Sequence, residues 1–174
     1  MPVSRPMSSN MPTDAIAQLK ADHRKVEALF NTFTTARAPT RRATIAEQIC
    51  NELKIHTTIE EEIFYPAFRG KIEDDTLNEA MVEHDGAKVL INDILATLED
   101  DEMLAAKVKV LSEDIRHHVH EEEMRGDGMF SQCRKTDVDL VALRDQMTAR
   151  KQELTAQAKA GTLPPAALAV LQNA

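Results

Sequence analysis

The stretch "HHVHEEEMRGDG", residues 117–128, sets three of the chain's six histidines beside three consecutive glutamates and then breaks on two glycines. Alone, it reads either as a solvated charge run at a helix end or as a turn of helix with one imidazole and one carboxylate aimed inward. The residues upstream bear on the choice. Leu104, Val108, Leu111 and Ile115 recur at three- and four-residue spacing, the period of an amphipathic helix, and His118 and Glu122 continue that stripe. By the same period His117 and His120 face elsewhere, and Glu121 and Glu123 are expected on the solvated side.

Three further segments share the period. The first, "PTDAIAQLKADHRKVEALFNTF", has Thr13 or Asp14 as its cap and a stripe of Ile16, Leu19, Val26, Phe30 and Phe33, with His23 in one slot. The second starts at Pro39 and carries Ile45, Ile49, Leu53, His56, Glu60, Ile63 and Ala67, with Gly70 as its C-terminal cap. The third begins near "EDDTLNEAM", where acidic residues suit a helix N-terminus, and carries Leu77, Met81, His84, Lys88, Ile91, Leu95 and Leu98. The fourth follows "EDDE". Four amphipathic helices of similar length with short connectors predict an all-α, antiparallel up-down-up-down four-helix bundle. After the break, "TDVDLVALRDQMTARKQELTAQAKA" predicts an additional C-terminal helix capped by Asp or Thr, and "GTLPPAALAVLQNA" a Pro-interrupted tail packed locally. The expected organisation is a disordered leader over residues 1–13, the bundle over 14–135, and the C-terminal helix and tail over 136–174.

Composition narrows the function classes. Aromatics make up 3% of the 174 residues, with no Trp and one Tyr, which argues against a sandwich or barrel of aromatic and β-branched strands. A formal net charge of −8 disfavours a nucleic-acid partner, and no apolar run approaches the roughly 20 residues of a membrane span. The N-terminus has no apolar core of a secretory signal, and Cys50 and Cys133 lie far apart without C-x-x-C spacing. A reduced, cytoplasmic pair is the expectation. No protein partner is readable.

The polar residues within the stripes repeat. His23 is followed by His56 and then Glu60; His84 is followed by His118 and then Glu122. The chain reads twice as one histidine on a first helix and H-x-x-x-E on a second. An i, i+4 pair stacks on one helix face, so both groups lean toward one centre. Any one of these residues alone reads as a core histidine satisfied by a neighbour, or as a surface pair. Together they would bury four imidazoles and two carboxylates at one level of the bundle, at a cost of several kcal/mol without partners. A cation relieves that cost. Imidazole with carboxylate suits iron, manganese or zinc, and six ligands exceed one tetrahedral zinc but fit two ions of higher coordination.

These residues resemble a hemerythrin-like, HHE cation-binding domain. The motifs are "DH" at 22–23, "HTTIEEEIFYPAF" at 56–68, "EHDGAKVLINDI" at 83–94 and "HHVHEEE" at 117–123, and the resemblance covers about residues 14 to 135. It implies a four-helix bundle holding two iron ions bridged by oxo or hydroxo, ahead of manganese or zinc. His23, His56, His84 and His118 would then be terminal metal ligands, with Glu60 and Glu122 bridging. Two departures stand out. The classical oxygen-carrying members place a further histidine four residues after the one on the third helix, and here that position is Lys88; water, a carboxylate or Tyr65 is left to fill the place. The family runs from its glutamate cluster into "FP", whereas this chain has "MRGDGMF", and a distorted helix end is expected. Asp22 and Glu83 each precede a ligand histidine, and carboxylates so placed commonly orient imidazole tautomers, but adjacent residues on a helix diverge by about 100°, so the surface reading is preferred for both.

The implied function is a non-haem di-iron protein that binds oxygen, peroxide or nitric oxide, or senses oxygen, redox or iron state. A di-iron enzyme acting on peroxide, catalase- or peroxidase-like, is the alternative, ranked behind binding because no nucleophile or triad accompanies the ligand set. A zinc-bound or metal-free structural bundle is the third possibility.

Overall fold

The computed structural model describes residues 11–98 and 102–172. Helix α1 spans Ala15–Thr35 and opens on Asp14, whose carboxylate accepts from the Ala17 N–H at 2.8 Å. Helix α2, Pro39–Ile59, has proline in its first turn, where no intrahelical N–H is needed. A single wide π turn, Glu60–Phe64, and a short α3, Tyr65–Phe68, continue the same rod until Gly70 leaves it at φ +73°. Helix α4 is Asp74–Thr97, with Asp74 and Asp75 in its first turn, and α5 is Leu104–Glu123. A five-residue α6, Met129–Cys133, precedes α7, Leu140–Lys159, which Asp139 caps by accepting from the Val141 and Ala142 N–H groups.

The four long helices α1, α2, α4 and α5 pack in a ring, each against the next in sequence, and α5 closes on α1. Helix α7 is the additional C-terminal helix; it lies over α1 and α2 and buries Leu143, Met147 and Leu154. Among the described residues no helix is long and apolar enough to cross a membrane. Of the leader expected over 1–13, residues 1–10 lie outside the described residues, while the carbonyls of Pro12 and Thr13 accept from Arg144 at 3.1 Å. Cys50 and Cys133 are free and buried, and burial, the first cause for each, pushes both thiols up to about 12.

The apolar core is two clusters. One surrounds Leu19, Ile59, Phe64, Phe68 and Leu77; the other surrounds Phe30, Ile49, Leu53, Ile91 and Leu111. On α1, α2 and α4 the polar members of the stripes fall between the two clusters, so a polar layer interrupts the interior.

One expectation is corrected and another extended. The stripe does not run on through Ile63 and Ala67, which are only partly buried; Phe64, Tyr65 and Phe68 are buried instead. The cause is the π turn, in which the Tyr65 N–H donates to the Glu60 carbonyl five residues back and shifts the inward face by one residue. The distorted end at "MRGDG" also does more than terminate α5. Gly126, at φ +84°, reverses the chain, and α6 inserts Met129, Phe130 and Cys133 into the core.

The tail is pinned to α4. The buried Asp85 carboxylate accepts from three consecutive backbone N–H groups, Ala169, Val170 and Leu171, at 2.7–3.0 Å. Asn92 exchanges two hydrogen bonds with Ala166, both 2.9 Å, and Lys54 donates to the Leu163 carbonyl at 3.3 Å.

The turn before α6 depends on Gly128. A Cβ there would lie 2.2 Å from the Met124 carbonyl oxygen, and backbone would have to yield. Gly128→Ala is expected to lower stability by about 1–3 kcal/mol, the range for forced overpacking, read from the urea midpoint at unchanged m-value.

Candidate metal centre

The structure brings all six predicted residues together. His23 on α1, His56 on α2, His84 on α4 and His118 on α5 turn their Nε2 atoms into the bundle axis, where Glu60 from the π turn and Glu122 from α5 join them; Glu60 is fully buried and Glu122 nearly so. The imidazoles form two pairs, His23 with His56 at 3.2 Å and His84 with His118 at 3.1 Å between Nε2 atoms. Each carboxylate touches one member of each pair. Glu60 Oε2 lies 3.2 Å from His56 Nε2 and 3.3 Å from His84 Nε2. Glu122 lies 3.3 Å from His23 Nε2 and 3.5 Å from His118 Nε2. Two groups result, His23–His56–Glu60–Glu122 and Glu60–His84–His118, each with ligand atoms within 4.8 Å of one another, and Glu60 belongs to both.

Behind every imidazole stands a carboxylate. Glu123 Oε1 is 2.6 Å from His23 Nδ1, Glu61 Oε1 is 2.9 Å from His84 Nδ1, and Glu83 Oε2 is 2.7 Å from His118 Nδ1. Asp22 Oδ2 faces His56 Nδ1 at 3.8 Å, beyond hydrogen-bond distance but close enough for charge. A proton on Nδ1 of His23, His84 and His118 satisfies Glu123, Glu61 and Glu83 and leaves Nε2 a bare acceptor aimed at the axis, whereas Asp22 Oδ2 and His56 Nδ1 make no hydrogen bond and interact through charge alone. The expectation that Asp22, Glu83 and Glu123 are merely solvated is therefore overturned. The 100° divergence that turns Asp22 away from His23 turns it toward the neighbouring helix, where it faces His56; Glu83 does the same for His118. Glu61 and Glu123, one residue past the central glutamates, serve the histidines of the other two helices. A repeat of D/E-H and H-x-x-x-E-E was the available signal, and it is a wider motif than the two H-x-x-x-E pairs.

His117 and His120 stay out of the centre. His117 is exposed and lies 3.3 Å from Glu121 and 3.4 Å from Glu83. Lys88 is buried yet does not reach the Nε2 atoms; its ammonium pairs with Glu61 at 2.7 Å and Asp85 at 3.1 Å. Tyr65 does reach them. Its hydroxyl donates to Glu122 Oε1 at 3.0 Å or Glu60 Oε2 at 3.3 Å and lies 3.2 Å from His84 Nε2. Burial, with Glu122 and Glu60 next, holds its pKa well above the ordinary value, so the phenol keeps its proton.

The arrangement fits a cation. Four Nε2 acceptors converge, and Glu60 Oε1 and Glu122 Oε2 accept no hydrogen bond although buried. Nitrogen and carboxylate oxygen are the donors of iron, manganese and zinc sites. In the chain without metal, protons take that place. Burial opposes a charged imidazole, but Glu60 and Asp22 outweigh it and push His56 up to about 10, while Glu60 and Glu61 push His84 up to about 9. Burial likewise raises Glu60, yet His56 and His84 hold it well below its ordinary value.

This defines a helical bundle with a buried histidine–carboxylate centre suited to metal. A family model described as the hemerythrin HHE cation binding domain matches residues 14–125, and the chain belongs to that family. The structure is similar to the crystal structure of a hemerythrin HHE cation binding domain-containing protein from Mycobacterium kansasii, with a TM-score of 0.69 and 20% sequence identity over 86% of this chain and 94% of that one. At that identity the likeness speaks for the fold alone. Comparison with curated proteins gave no match.

The raised imidazoles carry a pH prediction. A folded pKa above the unfolded value of 6.5 gives stability that is fully present below 6.5 and lost as pH rises through the folded value. Chelator-treated protein is expected to lose stability as pH rises from about 6.5 through about 9 and then about 10, seen as falling urea midpoints. Bound metal displaces those protons, so the loaded chain should lack this alkaline loss.

Proposed function

We propose that the chain holds two iron ions in the bundle core, with His23, His56, His84 and His118 as terminal ligands and Glu60 and Glu122 bridging. The observation that carries this reading is the pair of overlapping ligand groups sharing Glu60. One tetrahedral ion would leave two or more of the six residues unused. Iron over manganese or zinc rests on the likeness to the hemerythrin family, since the donor set admits all three. The position a fifth histidine would fill carries Lys88, turned outward, and the Tyr65 oxygen stands among the ligand atoms instead.

The function is then the binding or sensing of oxygen, peroxide or nitric oxide. Iron bound by these residues would supply redox chemistry at the centre. The protein supplies four imidazoles, three of them held by carboxylates at Nδ1, six central residues no more than 6% exposed, and a protonated phenol beside them. A cytoplasmic setting agrees with two buried free thiols that have no partner to oxidise with.

Tyr65 also favours a second reading, an enzyme acting on peroxide. Its O–H is a proton donor 3.0 Å from Glu122, inside the ligand set, and peroxide chemistry consumes protons. Sustained peroxide turnover that falls in Tyr65→Phe at unchanged iron content would place the chain in this class. Stoichiometric reaction followed by silence would place it with the binding proteins.

Anaerobic loading with ferrous iron, a count per chain and exposure to air under a visible spectrometer tests the core reading. Two irons with new near-ultraviolet to visible absorption are expected, with loss of the bands in His118→Ala. One iron or none, without colour, overturns it. Asp22→Asn and Glu83→Gln, which keep shape but remove the charge behind His56 and His118, are expected to weaken metal retention about 10–100-fold, measured as release to a competing chelator.

A further inference from the structure

Outside the six residues, the strongest unexplained feature is a buried ionic row running from the C-terminal tail to His84. Asp85 is fully buried one residue after His84, and it collects the backbone N–H groups of Ala169, Val170 and Leu171. It also accepts from Lys88 Nζ at 3.1 Å. Lys88 in turn holds both oxygens of Glu61, at 2.7 and 2.8 Å, and Glu61 accepts from His84 Nδ1 at 2.9 Å. The row is therefore tail, Asp85, Lys88, Glu61, His84.

Its members differ from the other carboxylate supports. Glu123 is backed by Arg24, whose side chain is 56% exposed, and Glu83 by His117, 63% exposed; Asp22 is backed by Lys151 of α7, partly exposed. Only Lys88 is buried among these four backing side chains, at 4% side-chain exposure. Exposed pairs are screened and weakly held, whereas a buried ammonium between two carboxylates has no water to replace either partner.

We propose that Lys88 and Asp85 are positioning residues for the metal centre and that the C-terminal tail, by docking on Asp85, completes the support of His84. The tail is part of the site's framework although none of its atoms reaches the centre. Three N–H groups fix Asp85, Asp85 fixes the Lys88 ammonium, and Lys88 fixes the Glu61 carboxylate in the orientation that holds the His84 ring. Removing the tail returns Asp85 to water and leaves Lys88 free to follow it, and the Glu61–His84 hydrogen bond loosens. The ligand role of His84 rests on the proposed metal reading; the row of contacts does not.

The test is proton NMR of the imidazole Nδ1–H resonances in the full chain, in a chain ending at Ala160, and in Lys88→Met, each metal-free and with added zinc ion as a diamagnetic probe. The His84 Nδ1–H is expected to exchange with solvent at least about tenfold faster in both variants, while the His118 Nδ1–H, held by Glu83, keeps its rate and internally controls for general loosening. Zinc release to a chelator should rise by about 10–100-fold in parallel. Arg24→Ala, at an exposed cation, should leave the His84 signal unmoved. Restoring Lys88 as arginine, which keeps a charge able to bridge two carboxylates, should recover part of the protection. An unchanged His84 exchange rate in the shortened chain overturns the proposal, as does equal acceleration at His84 and His118. Failure of the full chain to take up zinc would instead count against the metal reading, and the exchange comparison in the metal-free chains would still decide the row.

Discussion

Four imidazoles and two carboxylates share one layer of a helical interior, and most of the surrounding structure answers that constraint. A layer so polar cannot be packed against like an apolar core; without compensation each group would cost several kcal/mol to bury. The chain therefore divides its apolar interior into two clusters, one at each end of the polar layer. It surrounds the layer with four carboxylates, one for each imidazole, and backs those with Arg24, Lys88, Lys151 and His117. Outward from the acceptor centre the order is imidazole, carboxylate and basic side chain. Each ring is oriented by what lies behind it, so the convergence of the Nε2 atoms on the axis depends on residues that never touch the axis.

The helices, their inward faces and all six central residues were legible in the sequence because periodicity reports which side of a helix is buried. His23 and His118 sit in stripes whose other members are apolar, and the doubling of the pattern singles them out. Periodicity does not report which neighbouring helix a flanking residue meets. Asp22 is a full 100° from His23, a rotation that the period alone assigns to the surface, yet it brings the side chain against α2 and His56. Glu83 follows the same rule on α4, as Glu123 does on α5. The π turn was equally hidden, since a five-residue hydrogen bond has no compositional mark, and the stripe was carried through Ile63 when the chain had already shifted to Phe64. Helix α6 is too short for any period to show.

That π turn bears on the departure at position 88. Lys88 is buried and pairs with Glu61 and Asp85 rather than with the central ligand atoms. The shift between Glu60 and Tyr65 carries the phenol inward, over Glu60 and against His84, with ring centroids 5.5 Å apart. A regular helix would place Tyr65 about 100° further round, the rotation of the one extra residue the wide turn accommodates. The lysine and the tyrosine are thus two parts of one arrangement. Lys88 pairs with the Glu61 carboxylate, and Tyr65 brings a hydroxyl and its proton among the central ligand atoms.

The repeat is closed at its outer edge by different means in its two halves. Over α1 and α2 lies α7, whose Lys151 neutralises Asp22 and whose Arg150 pairs with Glu62 on the π turn. On α4 the tail does the work through Asp85 and Asn92. Helix α7 buries three apolar side chains of its own and is held by packing, whereas the tail is held by hydrogen bonds with Asp85, Asn92 and Lys54 and by the partly buried Leu163. The first kind of closure is lost only with the fold. The second can be lost alone, since local opening costs only the contacts it breaks. The two imidazole pairs are therefore unequally protected: His56 stands behind a packed helix, while His84 stands behind a row of charges ending in a strap of irregular chain.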